Sequence, residues 1–215
     1  SVPLSISNFG DSSSANLLGT IQVLDFCRNN HIPLVYASSS AIYGGLGMGD
    51  DHSTKVDLLS PYATDKFAME IYAQTAHTLY QLSSIGLRFF NVYGPRQDYS
   101  SPYSGVISIF VDRLLRGESL TINGGFQTRD FIFVKDVIDM IYRSIVLSST
   151  NSLCEQINIL TGNTVSIDEL ATQLMKETNI IVDKNYNPLH VGDPEKSNGT
   201  TVKMIKLLNV NLEKM

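Results

Sequence analysis

Apolar residues along the chain alternate between helical spacing and short continuous runs. Residues 10–30 have apolar positions at helical spacing, and the apolar run at 32–40 then ends in small hydroxyl residues. The helical pattern returns at 61–82, and a second apolar run, 84–94, stops at a Gly-Pro pair. Buried strands that alternate with helices predict a parallel sheet covered by helices, and hence an α/β fold.

Beyond residue 94 the elements become shorter and less regular. One helix is predicted to end at Gly117, and a strand and helix follow in which Asp136 is expected to cap the helix. Ser166 and Glu169 form a capping box that should open another helix. The pattern therefore predicts a doubly wound sheet and a smaller, more irregular lobe.

Composition excludes several classes of protein. The chain has 215 residues, of which 43% are hydrophobic and 17% charged, as in a globular protein. The net charge of -5 and the lack of a basic run argue against a nucleic-acid partner. The sequence predicts neither a membrane span nor a signal peptide. Cys27 and Cys154 are expected to be reduced thiols, and no spacing suggests a metal site.

Tyr62 and Lys66 stand one turn apart near the start of a predicted helix, so their side chains share a face. Free tyrosine has a pKa of about 10, and a nearby ammonium favours the phenolate and lowers that pKa. The pair is a candidate general acid/base. The alternative is a tyrosine packed on a loop beside a solvated lysine, because the spacing is common by chance.

Ser38, Ser39 and Ser40 end the strand that precedes this helix. Ligands of open α/β sheets bind beyond the carboxyl ends of the strands, so the hydroxyls and the phenol are expected to meet at one rim. A serine run alone is typical of a turn. The serines and the Tyr-Lys pair together, in this order, favour a functional site.

Six segments, NLLGT, VYASSSAIYG, SPYATDK, GLRFFNVYGPRQ, TRDFIFVKDV and GDPEKS, lie in order between Asn16 and Ser197. They resemble the extended short-chain dehydrogenase/reductase family, specifically its nucleotide-sugar epimerases such as UDP-galactose and UDP-N-acetylglucosamine 4-epimerases. The resemblance implies NAD-dependent epimerisation at carbon 4 of a nucleotide-linked sugar, a UDP-hexose or UDP-N-acetylhexosamine, through a 4-keto intermediate. It also implies a cytoplasmic homodimer.

The resemblance gives the predicted domains their roles. Residues 1–94 would be a partial, Rossmann-like dinucleotide-binding domain that lacks its first βαβ units. Residues 95–215 would be mainly a substrate-binding lobe, with 129–146 returning to the first domain.

The catalytic and cofactor roles also follow from the resemblance. Tyr62 would be the acid/base, and Lys66 would lower its pKa and contact the cofactor ribose. Ser39 would hydrogen-bond the reacting sugar oxygen, with Ser40 beside it. Ser38 is assigned to the cofactor side of the site, together with Asn16, which would help to order it from the preceding helix.

The substrate roles fall on later residues. Asn91 and Arg129 would hold the diphosphate, and Asp193 would lie near the ribose of the nucleotide. Ser197 would lie near the sugar's carbon-2 substituent, where a small residue leaves room for an N-acetyl group. His190 stands where relatives often have an arginine, and it would bind phosphate best when protonated.

The chain also departs from the family in that the glycine-rich dinucleotide fingerprint is absent. The stretch GGLGMGD, at 44–50, is expected to be a loop, because it opens no helix and its acidic end would repel phosphate. From the size of βαβ units, we expect roughly 80 residues upstream to be missing, and some sequence at the C-terminus as well.

Several alternatives stay open. Dehydratases and decarboxylases of the family place an acid two positions after the Ser39 equivalent, whereas this chain has Ala41. That difference favours simple epimerisation, but a dehydratase, a decarboxylase or a reductase remains an alternative. A truncated, non-catalytic protein that binds a sugar nucleotide is another.

Overall fold

The structure is a computed structural model that describes residues 1–101, 104–189 and 193–212. Its helices are α1 (Val2–Ser7), α2 (Phe9–Ser13), α3 (Gly19–Asn30), α4 (Pro61–Tyr80), α5 (Val106–Leu115), α6 (Val134–Thr150), α7 (Ile167–Thr178) and α8 (Val202–Leu208). A π-helical turn, Ser14–Leu18, joins α2 to α3. A 3-10 helix, Ser40–Tyr43, follows the first strand. The strands are β1 (Leu34–Ser39), β2 (Ser84–Phe89), β3 (Asn91–Tyr93), β4 (Leu120–Asn123), β5 (Thr128–Phe133), β6 (Cys154–Ile159), β7 (Thr164–Ser166), β8 (Lys184–Asn187) and β9 (Lys196–Ser197).

The main sheet is parallel, with the strand order β1-β2-β6. Ser39 pairs with Phe89, and Phe89 pairs with Ile159, so the three strands end at one rim. Apolar residues of α3 and α4 cover one face, and those of α6 and α8 cover the other. The predicted α/β class and its doubly wound parallel sheet are confirmed.

The chain returns to this sheet over a longer stretch than the predicted 129–146. Helix α6 packs its Val137 and Met140 into the core beneath β2, and β6 then adds the third strand. Helix α8 places Met204 in the same core. Residues beyond 146 therefore also build the main sheet, because the apolar strand β6 is buried only between two helical layers.

The second apolar run divides into two strands rather than forming one. Phe90 separates β2 from β3, and the N–H of Val92 donates a hydrogen bond to the carbonyl of Phe90. Strand β3 leaves the main sheet and pairs with β5. This break carries Asn91 away from the sheet, towards the second lobe.

Strand β5 is the centre of a smaller sheet. It pairs in parallel with β3 and β9 and antiparallel with β7. The strands β4 and β8 form a separate parallel pair, which packs with α5 and α7 around Phe110, Leu114 and Ile122. The short strands β7, β8 and β9 were not predicted.

Helix starts match the sequence prediction in one case and differ in another. The capping box of Ser166 and Glu169 is present at the start of α7. Asp136, however, does not cap α6: Phe133 is the N-cap residue, and Asp136 lies in the first turn. A carboxylate in the first turn still interacts favourably with the helix dipole.

Within the described residues, no helix has the length and apolar character that crossing a bilayer requires.

Candidate active site

The carboxyl end of β1 and the start of α4 meet at a cavity of about 290 Å³. Ser60 caps α4 by accepting a hydrogen bond from the N–H of Ala63, which places Tyr62 in the first helical turn. Ser39, Ser40 and Tyr62 all line this cavity. The strand end and the helix start therefore bring two serine hydroxyls and a phenol into one space.

Four of the residues expected to bind the substrate line the same cavity: Asn91, Arg129, Asp193 and Ser197. Strands β5 and β9 hold two of them together, since Arg129 and Ser197 are paired in the register. A second cavity, of about 980 Å³, shares Asn91, Arg129 and Asp193 with the first. The two spaces meet at these three polar residues.

Burial dominates the electrostatics of Tyr62. It raises the pKa of the phenol above its ordinary value, and the interaction with the Ser39 hydroxyl only partly opposes this rise. The Lys66 ammonium lies 5.6 Å from the centre of the Tyr62 ring and donates a 2.7 Å hydrogen bond to the carbonyl of Ala37. The resemblance implied a lowered pKa. The chain alone raises it, because burial outweighs the polar contacts.

Lys66 itself is half-buried, and burial lowers the pKa of its ammonium, while the charge of Asp65 opposes this shift. Its side chain lines neither cavity and reaches instead towards β1. It thus lies beside Tyr62 without facing the space that contains Arg129.

Two residues expected on the cofactor side make other contacts. Ser38 is 2% exposed, and its hydroxyl donates a 2.5 Å hydrogen bond to Glu70, so this side chain points into the core, and its cofactor role stays a prediction. Successive side chains of a strand point to opposite faces, which turns Ser38 inwards where Ser39 faces the cavity. Asn16 lies in the π-helical turn and donates to the carboxylate of Asp65, next to Lys66 in the sequence.

The guanidinium of Arg129 retains hydrogen-bonding capacity towards the cavities. One of its nitrogens, Nη1, donates to the carbonyl of Thr128 at 2.9 Å. Burial lowers the pKa of Arg129, and the charge of Asp193 opposes the shift. The Asn91 amide donates to the carbonyl of Asp130 at 2.9 Å, which orients its side chain beside Arg129. A half-buried guanidinium with unused donors suits a bidentate anion.

A buried polar network behind the site was not predicted. Glu70 accepts hydrogen bonds from Arg88 Nε at 2.9 Å and from Arg88 Nη2 at 2.6 Å. Arg88 Nη1 donates to the Tyr43 hydroxyl at 2.7 Å, and that hydroxyl donates to Asn158 Oδ1 at 2.7 Å. The sequence did contain a signal for this network, the single arginine in the apolar run GLRFF. A cation in a buried strand requires a partner, which predicts an acidic group nearby.

Charges in this network are matched. Burial lowers the pKa of Arg88, but the hydrogen bonds and charge of Glu70 outweigh it and hold the pKa above its ordinary value. Burial also raises the pKa of Tyr43 to about 12, so its hydroxyl stays neutral. The network therefore contains one ion pair and neutral groups around it.

Two further features of the cavities were missed. Asn198 lines the first cavity, and its Oδ1 is buried without a hydrogen-bond partner in the described part of the chain. Arg113 lines the second cavity and donates to Thr121 Oγ1 at 2.9 Å. In the sequence Asn198 looks like an ordinary turn residue after Ser197. Only the structure shows that its side chain lines the cavity.

The remaining predictions concern His190, the stretch at 44–50 and the absence of a metal site. His190 lies outside the described residues. The stretch at 44–50 forms a loop, as predicted, and Asp57 accepts a hydrogen bond from the N–H of Gly45. Within the described residues, no cluster of three or more His, Cys, Asp or Glu could hold a metal ion.

Comparison with known proteins assigns the chain to a family. The family model "NAD dependent epimerase/dehydratase family" matches residues 1–159. The chain belongs to the NAD-dependent epimerase/dehydratase family. A curated relative, the putative UDP-glucose 4-epimerase of Methanocaldococcus jannaschii, is 40% identical over 159 residues, which are 72% of this chain and 50% of the relative. The chain thus spans about half the length of that member.

Two solved epimerase structures are similar to this chain over nearly all of its length. The UDP-N-acetylglucosamine 4-epimerase of Methanobrevibacter ruminantium, in complex with UDP-N-acetylmuramic acid, is 32% identical with a TM-score of 0.90. The match covers 98% of this chain and 67% of that one. The UDP-glucose 4-epimerase of Thermus thermophilus, in complex with NAD, is 30% identical with a TM-score of 0.83, covering 96% of this chain and 68% of that one.

Proposed function

We propose that this chain carries the proton-transfer and sugar-nucleotide sites of an NAD-dependent nucleotide-sugar 4-epimerase. The observation that carries the proposal is a single cavity that is lined both by Tyr62 and Ser39 and by the group formed by Asn91, Arg129 and Asp193. A phenol and a hydroxyl can move a proton, and the guanidinium can hold a diphosphate. Family membership and the epimerases among its relatives support the same reaction.

In this mechanism Tyr62 accepts the proton of the sugar 4-hydroxyl and returns it to the same oxygen after the keto sugar has turned over. Ser39 holds the reacting oxygen by a hydrogen bond. Arg129 and Asn91 bind the diphosphate from the point where the two cavities meet, so the sugar lies in the smaller cavity and can turn over there. Epimerisation requires this rotation, since hydride must return to the other face.

Residues on the β1 side fit a dinucleotide. An ammonium has three donors, and the hydrogen bond that the structure describes for Lys66 uses one of them, for Ala37. The remaining donors suit the hydroxyls of a ribose beside Tyr62. NAD, when bound, would supply the hydride acceptor and donor for carbon 4, and its positively charged nicotinamide would favour the phenolate.

The wall beside Ser39 favours epimerisation over dehydration. Ala41 lines the cavity where a dehydratase would need an acid to expel water. Asp193, the acidic residue among the described lining residues, is assigned to the ribose of the nucleotide. The cytoplasmic location and the homodimer remain predictions.

Product analysis of the protein expressed from its complete gene tests the proposal. The protein is incubated with NAD and, separately, with UDP-glucose and UDP-N-acetylglucosamine, and the sugars are resolved by chromatography. We expect the 4-epimer of at least one substrate. Release of water, or no turnover of either sugar despite binding, would contradict the proposed reaction.

The side chain of Ser197 bears on substrate choice. A small residue in the sugar cavity leaves space for an N-acetyl group, so turnover of UDP-N-acetylglucosamine is expected. Replacing Ser197→Tyr should impair this substrate before UDP-glucose. Turnover of UDP-glucose alone by the unmodified protein would end this part of the proposal.

A further inference from the structure

The hydrogen bonds behind the cavity have a fixed direction. Arg88 can only donate, so the Tyr43 oxygen accepts from it and the Tyr43 O–H must donate to Asn158 Oδ1. The Asn158 amide group then faces two carbonyls, that of Gly49 at 3.1 Å and that of Thr200 at 3.2 Å. Each group in this chain of bonds has one arrangement that satisfies it.

The two carbonyls belong to different segments, and other residues of both segments, such as Leu46 and Ser197, line the cavity. Gly49 lies in the loop that follows the serine strand, and Thr200 ends residues 193–200, here called the substrate segment. The N–H of Gly49 donates to the carbonyl of Asn198, and the N–H of Thr200 donates to the carbonyl of Gly49, each at 2.9 Å. Asn158 therefore sits across a joint between the loop and the substrate segment.

This joint depends on the close approach of two backbones. A Cβ on Gly199 would lie 2.8 Å from the Gly49 carbonyl oxygen and 2.8 Å from the Phe90 ring. A Cβ on Gly49 would lie 2.5 Å from the Tyr43 ring. Tyr43 thus touches the joint with its ring and holds Asn158 with its hydroxyl.

The other end of the network reaches the serine strand. Ser38 donates to Glu70, which binds Arg88. A continuous series of buried hydrogen bonds therefore connects the residue next to Ser39 with the segment that carries Ser197. A fully satisfied buried network favours a single geometry.

We infer that Tyr43 and Asn158 are positioning residues, which hold the substrate segment at a fixed distance from Ser39 and Tyr62. The inference rests on the proposed function, since it concerns the binding of a nucleotide sugar between these walls. Neither residue transfers a proton or contacts a phosphate in this account. They act through the backbone of the substrate segment.

The chain offers a matched pair of variants. Tyr43→Phe removes the hydroxyl that links Arg88 to Asn158. Tyr36→Phe also removes a buried tyrosine hydroxyl, from β1, but this hydroxyl makes no hydrogen bond to any member of the network. Asn158→Asp keeps an acceptor for Tyr43 and removes the donors to Gly49 and Thr200. Thermal unfolding of each variant shows that it is folded at the temperature of the other measurements.

Hydrogen exchange of backbone amides is measured first, without any ligand. We expect the amides of Gly49 and Thr200 to exchange at least about tenfold faster in Tyr43→Phe and Asn158→Asp, and unchanged in Tyr36→Phe. Calorimetric titration with UDP-glucose follows. We expect the first two variants to bind about five- to thirtyfold more weakly, and Tyr36→Phe to bind as the unmodified chain does.

The outcomes separate the inference from the function on which it rests. Unchanged exchange in Tyr43→Phe would overturn the inference, as would faster exchange with unchanged affinity, because the network would then be structural only. If the unmodified chain binds neither UDP-glucose nor UDP, the proposed function fails, and the exchange data alone decide whether the network holds the segment.

Discussion

Two groups of polar side chains, one behind the first cavity and one at its wall, differ in how completely they are hydrogen-bonded. Behind the cavity, Glu70 and Arg88 are 4% exposed and use their hydrogen-bonding groups on each other and their neighbours. At the cavity wall, Arg129 makes one described side-chain bond, to its neighbour's carbonyl, and Asn198 Oδ1 has no partner among the described residues. A buried polar group without a partner destabilises a protein.

The difference separates a structural role from a binding role. The first group stabilises the walls, since every member would be costly to leave unpaired. The second group lacks some partners among the described residues, and a polar ligand that enters the cavity can supply them. Substitutions in the first group should therefore affect folding, and those in the second should affect ligand affinity.

The largest effect on folding is expected for Glu70→Gln. It leaves the Arg88 cation buried without its counter-ion, and breaking a buried pair costs about 3–5 kcal/mol of unfolding free energy. Denaturant unfolding measures the loss. The control is Asp139→Asn, which breaks a pair with Arg143 whose side chains are 39% and 49% exposed. The control should change stability by about 0.5 kcal/mol or less, and equal losses would contradict the distinction.

Arg129→Met should leave folding nearly unchanged and weaken the binding of UDP about ten- to hundredfold, because charge-assisted hydrogen bonds to the diphosphate are lost. Calorimetric titration measures the affinity. Arg28→Met serves as the control, since Arg28 lies on α3 and pairs with Asp25 at the surface. UDP binding that is equally strong in both variants would refute the role of Arg129.

Asn198→Ala should have a smaller effect, confined to the sugar. Removing an acceptor that a sugar hydroxyl satisfies should lower the affinity for UDP-glucose about five- to tenfold and leave that for UDP unchanged. The ratio of the two affinities in one variant is thus its own control. An equal loss for both ligands would mean that Asn198 acts on the nucleotide or on the fold.

The smallest effect concerns pH. Burial raises the pKa of Asp51 above its ordinary value of 3.8, although the N–H of Asn158 donates to it. The folded protein therefore binds this proton more tightly than the unfolded one. The contribution to stability is complete below pH 3.8 and is lost as the pH rises through the raised pKa.

Unfolding of the chain and of Asp51→Asn at several pH values checks this sign. The stability of the variant relative to the unmodified chain should increase as the pH rises from about 3.5 to 7. A relative stability that falls over this range would show that Asp51 is stabilised as a carboxylate in the folded state.

Much of the fold followed from hydrophobic periodicity alone. The alternation of helices and buried strands predicted β1, α4 and the doubly wound sheet, since long periodic elements carry a strong signal. Strands β7 and β9 have too few residues to show a period. The break at Phe90 was hidden because both halves of the run are apolar, although they belong to different sheets.

The site was predictable where its residues stand at the ends of predicted strands or at the starts of predicted helices. Tyr62 and Ser39 stand at a helix start and a strand end, and the topology brings such positions together. The hydrogen bond of Ser38 to Glu70 was not predicted, because strand alternation was not applied to the serine run. The other members of the Arg88 network, Glu70, Tyr43 and Asn158, come from three distant segments. Only the tertiary structure reveals that they converge.

The most direct test of the account is turnover by Tyr62→Phe. The enzyme is expressed from its complete gene, and epimerisation with NAD is measured beside the affinity for UDP-glucose. A phenol that transfers the proton should make turnover fall about 10²- to 10⁴-fold, while affinity stays within about threefold. A phenylalanine variant that retains its turnover would contradict the assignment of Tyr62 and, with it, the proposed reaction at this cavity.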